Sequence, residues 1–439
     1  MIATPQGATD WLYAGGLIGG WLALTYACMR DRQGQMGDDA DTLVLHASQT
    51  GQATDLAEKL HRTIVARGEK CALLPADEAT PERLTKAKRL FFIVSTTGDG
   101  LAPDNGHGFD RYIGDDRPRL EGKQIAILAL GDRRYSQYCA FGQRIAQWAE
   151  IGGATFLFPL VEVDDLSAND LQQWQSRLAQ LGYDLAEQGA ADETLHWRVL
   201  ERCQVVGPAM KGASGSDGLF RLQLAAEDGA SPPWEIGDLF ELHTPDGHRR
   251  DYSIASLPPE RLITLYIRKV VQEGQVGIGS GLLTGTQVGS GRITGRIRPH
   301  RTYRTPTGRG PLLAIGAGSG WAGLRPHVLH ALQEGQPCRV LFGERASQSE
   351  TPLFEELRAL PLTGLDVALS ATQGGGPYVQ DRIAAQADTI RQFLGENGRV
   401  VLCGRLAMGE ACLAALADVM GKAWVEQTML LGRLRRDLY

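Results

Sequence analysis

Leu43-Val44-Leu45-His46-Ala47-Ser48-Gln49-Thr50-Gly51-Gln52-Ala53-Thr54 passes from an apolar run, through a polar glycine-containing turn, into Ala53 to Arg67, where apolar residues recur at helical spacing. So short an apolar run followed by helical periodicity reads as a buried strand feeding a helix. The turn then sets hydroxyls and backbone amides around a helix N-terminus, which stabilises an anionic group. No Gly-Lys-Ser/Thr follows, so there is no lysine for a polyphosphate, and a monoester such as that of FMN fits. Taken alone, the same turn also serves as an ordinary capped helix start.

The pattern repeats outward. Leu90 to Val94 runs into Ser95-Thr96-Thr97-Gly98-Asp99-Gly100, and Ile125 to Leu130 runs into Leu130-Gly131-Asp132-Arg133-Arg134-Tyr135, with a helical stretch at Phe141 to Glu150. Strands that alternate with helices make a doubly wound α/β domain, and its loops converge at the carboxyl ends of the strands, where ligands bind. Leu171 to Gln188 reads as the closing helix and Gly189 to Thr194 as a linker. On these three loops the sequence resembles the flavodoxin family. The resemblance implies an FMN domain over 42–188, with Ser48, Gln49, Thr50, Gly51, Gln52, Ala53 and Thr54 around the phosphate. It also implies Ser95, Thr96, Thr97, Gly98, Leu130, Gly131 and Asp132 around the ring, Tyr135 stacked on the flavin, and Tyr138 and Asp164 lining the site. Thr97 stands where many relatives carry an aromatic ring.

From His196 the segments shorten and turns separate them, as at Arg198 to Val206, Leu219 to Ala225, Leu239 to His243 and Leu262 to Val270, which suits an antiparallel barrel. Within it stand Arg250-Asp251-Tyr252-Ser253 and Gly277-Ile278-Gly279-Ser280. An arginine fork suits a pyrophosphate and a tyrosine suits a flavin face. Alternation of strand and helix returns at Pro311, and Leu312 to Ile315 leads into Gly316-Ala317-Gly318-Ser319-Gly320, a glycine-rich turn of the kind that approaches a dinucleotide. Phe342-Gly343, Ser370, Tyr378-Val379-Gln380, Cys403-Gly404 and the terminal Arg436-Asp437-Leu438-Tyr439 follow in order.

This series resembles the ferredoxin-NADP reductase family, and the chain as a whole resembles the diflavin reductases, in which a flavodoxin domain is fused to such a module. The resemblance implies an FAD-binding barrel over 197–305 and an NAD(P)-binding α/β domain over 306–439. Arg250, Asp251, Tyr252, Ser253, Gly277, Ile278, Gly279, Ser280 and Tyr439 would then hold FAD. Gly316, Gly318, Ser319, Gly320, Ser370, Tyr378, Gln380 and Cys403 would hold the nicotinamide nucleotide. Ser253, Cys403, Asp437 and Tyr439 would be the catalytic set around hydride transfer. Two departures carry information. The cations that pair a 2′-phosphate in NADPH-selective relatives are replaced by Ser370-Ala371 and Gly376-Pro377, leaving NADH and NADPH both open, with Arg382 or Arg405 as substitutes. Between Asp238 and Arg250 there is one tight turn, Pro245-Asp246-Gly247, where larger relatives insert a helical connecting domain.

With 439 residues, 43% hydrophobic, several domains are expected. A net charge of −6 argues against nucleic acid as a partner. The seven cysteines form no Cys-x-x-Cys, so neither a disulfide framework nor a metal site is expected. Trp11 to Met29 carries no charge and Arg30 and Arg32 follow it, so one N-terminal transmembrane helix over 11–29 is expected. The same charges place the catalytic domains on the cytoplasmic side of the inner (cytoplasmic) membrane as a single-pass protein. The function expected is a membrane-anchored NAD(P)H diflavin reductase whose partner is a one-electron acceptor protein with a haem or iron centre. A ferric or ferric-siderophore reductase, with an iron chelate as acceptor, is the enzymatic alternative, and a degenerate flavin-binding sensing or assembly module the non-enzymatic one.

Overall fold

A computed structural model describes residues 40–49, 51–97, 100–115, 119–133, 135–185, 194–208, 216–227, 229, 232–258, 260–272, 274–345, 350–370 and 376–439. They form two compact units, one from most of residues 40–185 and one from 194–439 that also takes in 49, 51 and 165–168.

The first unit runs β1 (Thr42–Ala47), α1 (Gln52–Ala66), β2 (Cys71–Pro75), α2 (Pro81–Lys86), β3 (Arg89–Ser95), α3 (His107–Asp115), β4 (Gln124–Gly131), α4 (Ala140–Ile151), β5 (Thr155–Phe156), β6 (Val161–Asp164) and α5 (Ala168–Gln180). Its parallel sheet has the order β2-β1-β3-β4-β5, with β6 also paired to β4. β1 is buried along its whole length, as a strand covered on both faces must be, so it shows no alternation of polar and apolar residues. β2 escapes the sequence reading because it is five residues long and ends in Pro75, which suits an edge strand that needs no further ladder donor. Phe92, Phe109 and Trp148 close the core beneath α3 and α4 through tilted and edge-to-face contacts of 5.5 to 6.4 Å.

The second unit opens with β7 (Leu195–Val206), β8 (Ser216–Ala226), β9 (Leu239–His243), β10 (Arg249–Ser253), β11 (Ile263–Gln272), β12 (Gln275–Val276), α6 (Ile278–Gly285) and β13 (Arg292–Arg298). The strands form one sheet in the order β10-β9-β13-β7-β8-β11-β12, all antiparallel. Ala255 N donates to Thr264 O at 2.8 Å, which brings the chain beyond β10 against β11 and curls the sheet around a core of Trp197, Leu222, Phe240, Leu265 and Leu283. The β9–β10 connection is the tight turn through Asp246, with Gly247 at φ +84°.

The unit continues through β14 (Leu312–Ala317), α7 (Trp321–Gln333), β15 (Cys338–Glu344), α8 (Pro352–Ala359), β16 (Gly364–Leu369), α9 (Val379–Ala385), α10 (Ala387–Leu394), β17 (Arg399–Gly404), α11 (Leu406–Met420), α12 (Lys422–Leu430) and β18 (Leu434–Leu438). Its parallel sheet has the order β16-β15-β14-β17-β18. The crossover from β15 and β16 to β17 makes β14 a switch point, the place where open α/β sheets bind ligands.

One expectation is corrected. No helix among the described residues is long and apolar enough to cross a membrane, and the stretch 11–29 lies outside those residues. Gly15, Gly16, Gly19 and Gly20 weaken both helix propensity and hydrophobicity there. Among the described residues the fold class is therefore the α/β, antiparallel β and α/β series with no transmembrane helix, and the inner-membrane placement is withdrawn.

Candidate functional site

In the first unit the three loops after β1, β3 and β4 meet at one end of the sheet, bound to one another by their own side chains. Ser48 Oγ accepts from Ala53 N at 3.2 Å, so it caps the start of α1, while Gly51 takes φ +90° to turn the chain. Thr54 Oγ1 lies 3.0 Å from His46 Nδ1. Ser48 N donates to Asn105 Oδ1 at 2.9 Å. Ser95 Oγ donates to Ala47 O at 3.2 Å, Thr96 Oγ1 accepts from Phe141 N at 3.2 Å, and Leu130 O accepts from Thr96 N at 2.9 Å. Thr97 has no ring to offer a flavin, and its hydroxyl donates to Leu101 O at 3.2 Å and Ala102 O at 3.3 Å.

At the third loop, Gly131 has no room for a side chain, since a Cβ there would lie 2.8 Å from Cys139 N. Asp132 O accepts from Tyr135 N at 3.1 Å, and Tyr135 is 54% exposed, so its ring is free to stack on a ligand. Asp164, at the end of β6, accepts from Arg133 N at 2.9 Å. Arg133 stacks over the Tyr138 ring at 5.0 Å, while the Tyr138 hydroxyl is buried with no partner in conventional hydrogen-bond geometry among the described residues; burial raises its pKa. An orphaned buried hydroxyl beside an exposed aromatic ring and a capped helix start fits a group that brings a flat ring and a phosphate. Thr50 and Gly98 lie outside the described residues. Asn105 and His46 were missed by sequence reading, Asn105 because it reaches Ser48 across 57 residues.

In the second unit, β10 carries Arg250, Asp251, Tyr252 and Ser253, and α6 starts beside it. A Cβ on Gly279 would lie 2.7 Å from the Tyr252 hydroxyl and 3.1 Å from Arg250 Cγ, so glycine there lets the helix start pack onto both side chains. Gly277 N donates to Val270 O at 2.9 Å, and Ser280 Oγ accepts from Val270 N at 3.2 Å. Those two groups hold the helix to β11. Ile278 is exposed. Asp251 faces away from this side, where Arg298 binds it at 2.7 Å. Beside it Glu241, buried, receives Arg296 at 2.8 Å, His243 at 2.9 Å and Arg249 at 3.4 Å. Burial pushes the Glu241 carboxyl up, but the hydrogen bonds from His243 and Arg296 and the charges of Arg296 and Arg249 outweigh it and hold the pKa well below the usual range.

Ser253 leaves β10 toward the parallel sheet. Its Oγ donates to Asp437 Oδ2 at 3.0 Å, and the Cys403 thiol reaches the same oxygen at 3.7 Å. Cys403 and Asp437 are partners in the register of β17 and β18. Cys403 is fully buried, and burial first, then the Asp437 charge, push its thiol pKa far up. Gly316 and Gly320 close over it: a Cβ on either would come within 2.5 Å and 2.2 Å of Cys403 O. These glycines thus serve the approach of the loop to β17, while Gly318 supplies the positive φ of +58°. Ser319 Oγ lies 2.8 Å from the Tyr439 hydroxyl, and Tyr439 N donates to Gly404 O at 3.0 Å, which pins a ring that is 53% exposed. Ser370 N donates to Glu344 O, and residues 371–375 after it lie outside the described residues. Tyr378 is exposed and its N–H donates to Asp381 at 2.7 Å, capping α9 ahead of the half-buried Gln380. Arg405 is exposed and Arg382 half-buried. Among the described residues no cluster of His, Cys, Asp and Glu is arranged to hold a metal.

Residues 44–178 match the family model for flavodoxin. The chain is 26% identical over 437 aligned positions to the NADPH sulfite reductase flavoprotein alpha-component of Thiocapsa roseopersicina, covering 86% of this chain and 83% of the relative. It is 34% identical over 125 residues to that of Bacillus subtilis (strain 168), and 28% over 144 residues to that of Blochmanniella floridana. Those two matches span 21% and 24% of the relatives. The chain carries a flavodoxin domain, a fold that binds FMN, and it is a flavoprotein oxidoreductase similar along most of its length to a diflavin reductase.

Proposed function

We propose that this chain is an NAD(P)H-dependent diflavin reductase that takes a hydride from a reduced nicotinamide at its second unit. It then passes single electrons through its flavodoxin domain to a haem or other iron centre in a partner protein. The reading is carried by the meeting of Ser253, Cys403 and Asp437, from three separate strands, at the sheet end that also holds Gly316 to Gly320 and Tyr439. When bound, FAD supplies acceptance of the electron pair and FMN its release one electron at a time.

The chain's own residues supply the rest. Asp437 places a carboxylate, fixed by the Ser253 hydroxyl, where positive charge grows on a nicotinamide as its hydride leaves. Cys403 keeps its proton and offers a dry, polarisable wall beside that carboxylate. Tyr439, held by Ser319, would cover the flavin face that the nicotinamide must reach. Arg250 and Tyr252 on β10, with Gly279 against them, offer a fork and a face to FAD. Ser48 and the start of α1 would hold the phosphate of FMN, and Tyr135, exposed, would stack on its ring. Ser370-Ala371 and Gly376-Pro377, where NADPH-selective relatives carry cations, leave NADH and NADPH as the two candidate donors.

Anaerobic stopped-flow reduction of the flavin-loaded protein by each nucleotide, with the released flavins quantified afterwards, tests this. Equimolar FAD and FMN, both reduced by one nucleotide, are expected. A single flavin, or no reduction by either nucleotide, would sink the proposal.

A further inference from the structure

Tyr303 ends the short turn Arg301–Tyr303 between β13 and β14, and its side chain is wholly buried. Its hydroxyl has no conventional hydrogen-bond partner among the described residues. Buried hydroxyls left in that state are rare in folded proteins and call for a reason. The ring is wedged in place: His327 meets it edge-on at 4.9 Å between centroids and His300 lies at 5.9 Å on a tilted plane. Burial pushes the His327 pKa down to about 3, so no charge enters from that side.

Toward the sheet, Tyr303 converges on Cys403. A Cβ on Gly323, in the first turn of α7, would lie 2.6 Å from Cys403 Sγ and 3.2 Å from Tyr303 Cε1. Thiol and phenol therefore share the space that the missing side chain leaves. Burial first, then neighbouring acidic groups, keep both protons in place. The donors and acceptors then sort themselves. The S–H of Cys403 points to Asp437 Oδ2 at 3.7 Å, which leaves the sulfur lone pairs free to accept, and the Tyr303 O–H is a donor without another acceptor.

We propose that Tyr303 is a positioning residue of the hydride-transfer site: its hydroxyl donates to the Cys403 sulfur, holds the S–H on Asp437 and so fixes the face that the thiol presents to the nicotinamide. This role presupposes the hydride transfer proposed for the second unit. It adds a residue that touches neither flavin nor nucleotide and acts through Cys403.

The test is the S–H stretching band of the full chain in infrared difference spectra without nucleotide, assigned by its loss in Cys403→Ser, followed by single-turnover hydride transfer from nucleotide deuterated at the reacting carbon. Tyr303→Phe is expected to shift the band and to slow hydride transfer roughly two- to tenfold, the span of one ordinary hydrogen bond, with flavin content unchanged. If Tyr303→Phe does not fold, 3-fluorotyrosine at position 303 keeps the ring and its hydroxyl, makes that hydroxyl more acidic at the cost of one added fluorine, and should move the band by a smaller amount. An unmoved band with normal turnover overturns the role of Tyr303 alone. A shifted band in a chain that accepts no hydride overturns the reductase reading, and the positioning role falls with it.

Discussion

Cys403 and Asp437 face each other across two parallel strands, and the thiol lies 3.7 Å from the carboxylate although 34 residues separate them in the chain. Among the described residues β18 is the last strand of its sheet and pairs only with β17, so this one register sets both side chains on the same face. Ser253, from the antiparallel sheet of the same unit, completes the group at 3.0 Å.

Asp437→Asn should therefore impair hydride transfer more than it impairs stability. The change keeps the shape but removes the charge that Ser253 holds. Loss of one charge-assisted contact is worth about 1.5 to 3 kcal/mol, or roughly ten- to a hundredfold in rate. Single-turnover reduction of the flavin-loaded protein checks this, and a rate within twofold of the parent would contradict it.

Gly323→Ala should destabilise the second unit. Its new Cβ would stand 2.6 Å from Cys403 Sγ, in a core that has no slack, and overpacking of this kind costs roughly 1 to 3 kcal/mol. Thermal melting shows the loss. A companion Gly335→Ala, where nothing lies within 4 Å but φ is +67°, separates clash from backbone strain.

Glu241→Gln should cost about 3 to 5 kcal/mol at neutral pH, because it strands Arg296 and its neighbours beside a group that no longer balances them. The folded carboxyl pKa lies below its ordinary value near 4.5, so its contribution is complete above that pH and is lost as pH falls toward the folded value. Denaturant midpoints of the two proteins should accordingly draw together in acid below about pH 4.5. A gap that stays constant, or widens, on acidification would rule out this account.

Tyr135→Ala should weaken FMN specifically. An exposed ring that stacks on a ligand contributes about 0.5 to 1.5 kcal/mol beyond its area, so affinity should fall at least roughly two- to tenfold. Fluorescence titration of the apoprotein with FMN and with FAD distinguishes the sites: a matching loss for FAD would place Tyr135 elsewhere.

Much of the architecture was legible because local rules agreed with it. The turn from Ser48 to Thr54 is a strand-to-helix junction by composition, and β1, β3, β4 and β14 are apolar runs of the length that a doubly covered strand needs. β2 and β18 were not legible in this way. One is short and ends in proline, and the other, Leu434–Leu438, holds two arginines and an aspartate, so neither shows a hydrophobic period. The stretch 11–29 lies outside the described residues, and the four glycines at 15, 16, 19 and 20 dilute the apolar content on which the reading of a span rested.

The sequence by itself determined the order of the loops and the residue types in each: hydroxyls and glycines after β1, β3 and β14, an arginine and a tyrosine on β10, a cysteine after an apolar run. These are local signals, set by spacing along the chain. Only the tertiary structure decided which of them act together. Ser253 meets Asp437 across 184 residues, Gly316 and Gly320 prove to make room for the Cys403 carbonyl, and Tyr303, with no motif around it, comes to rest behind the thiol. Strand register and close packing fix such pairs, and both depend on contacts far apart in sequence that no local pattern encodes.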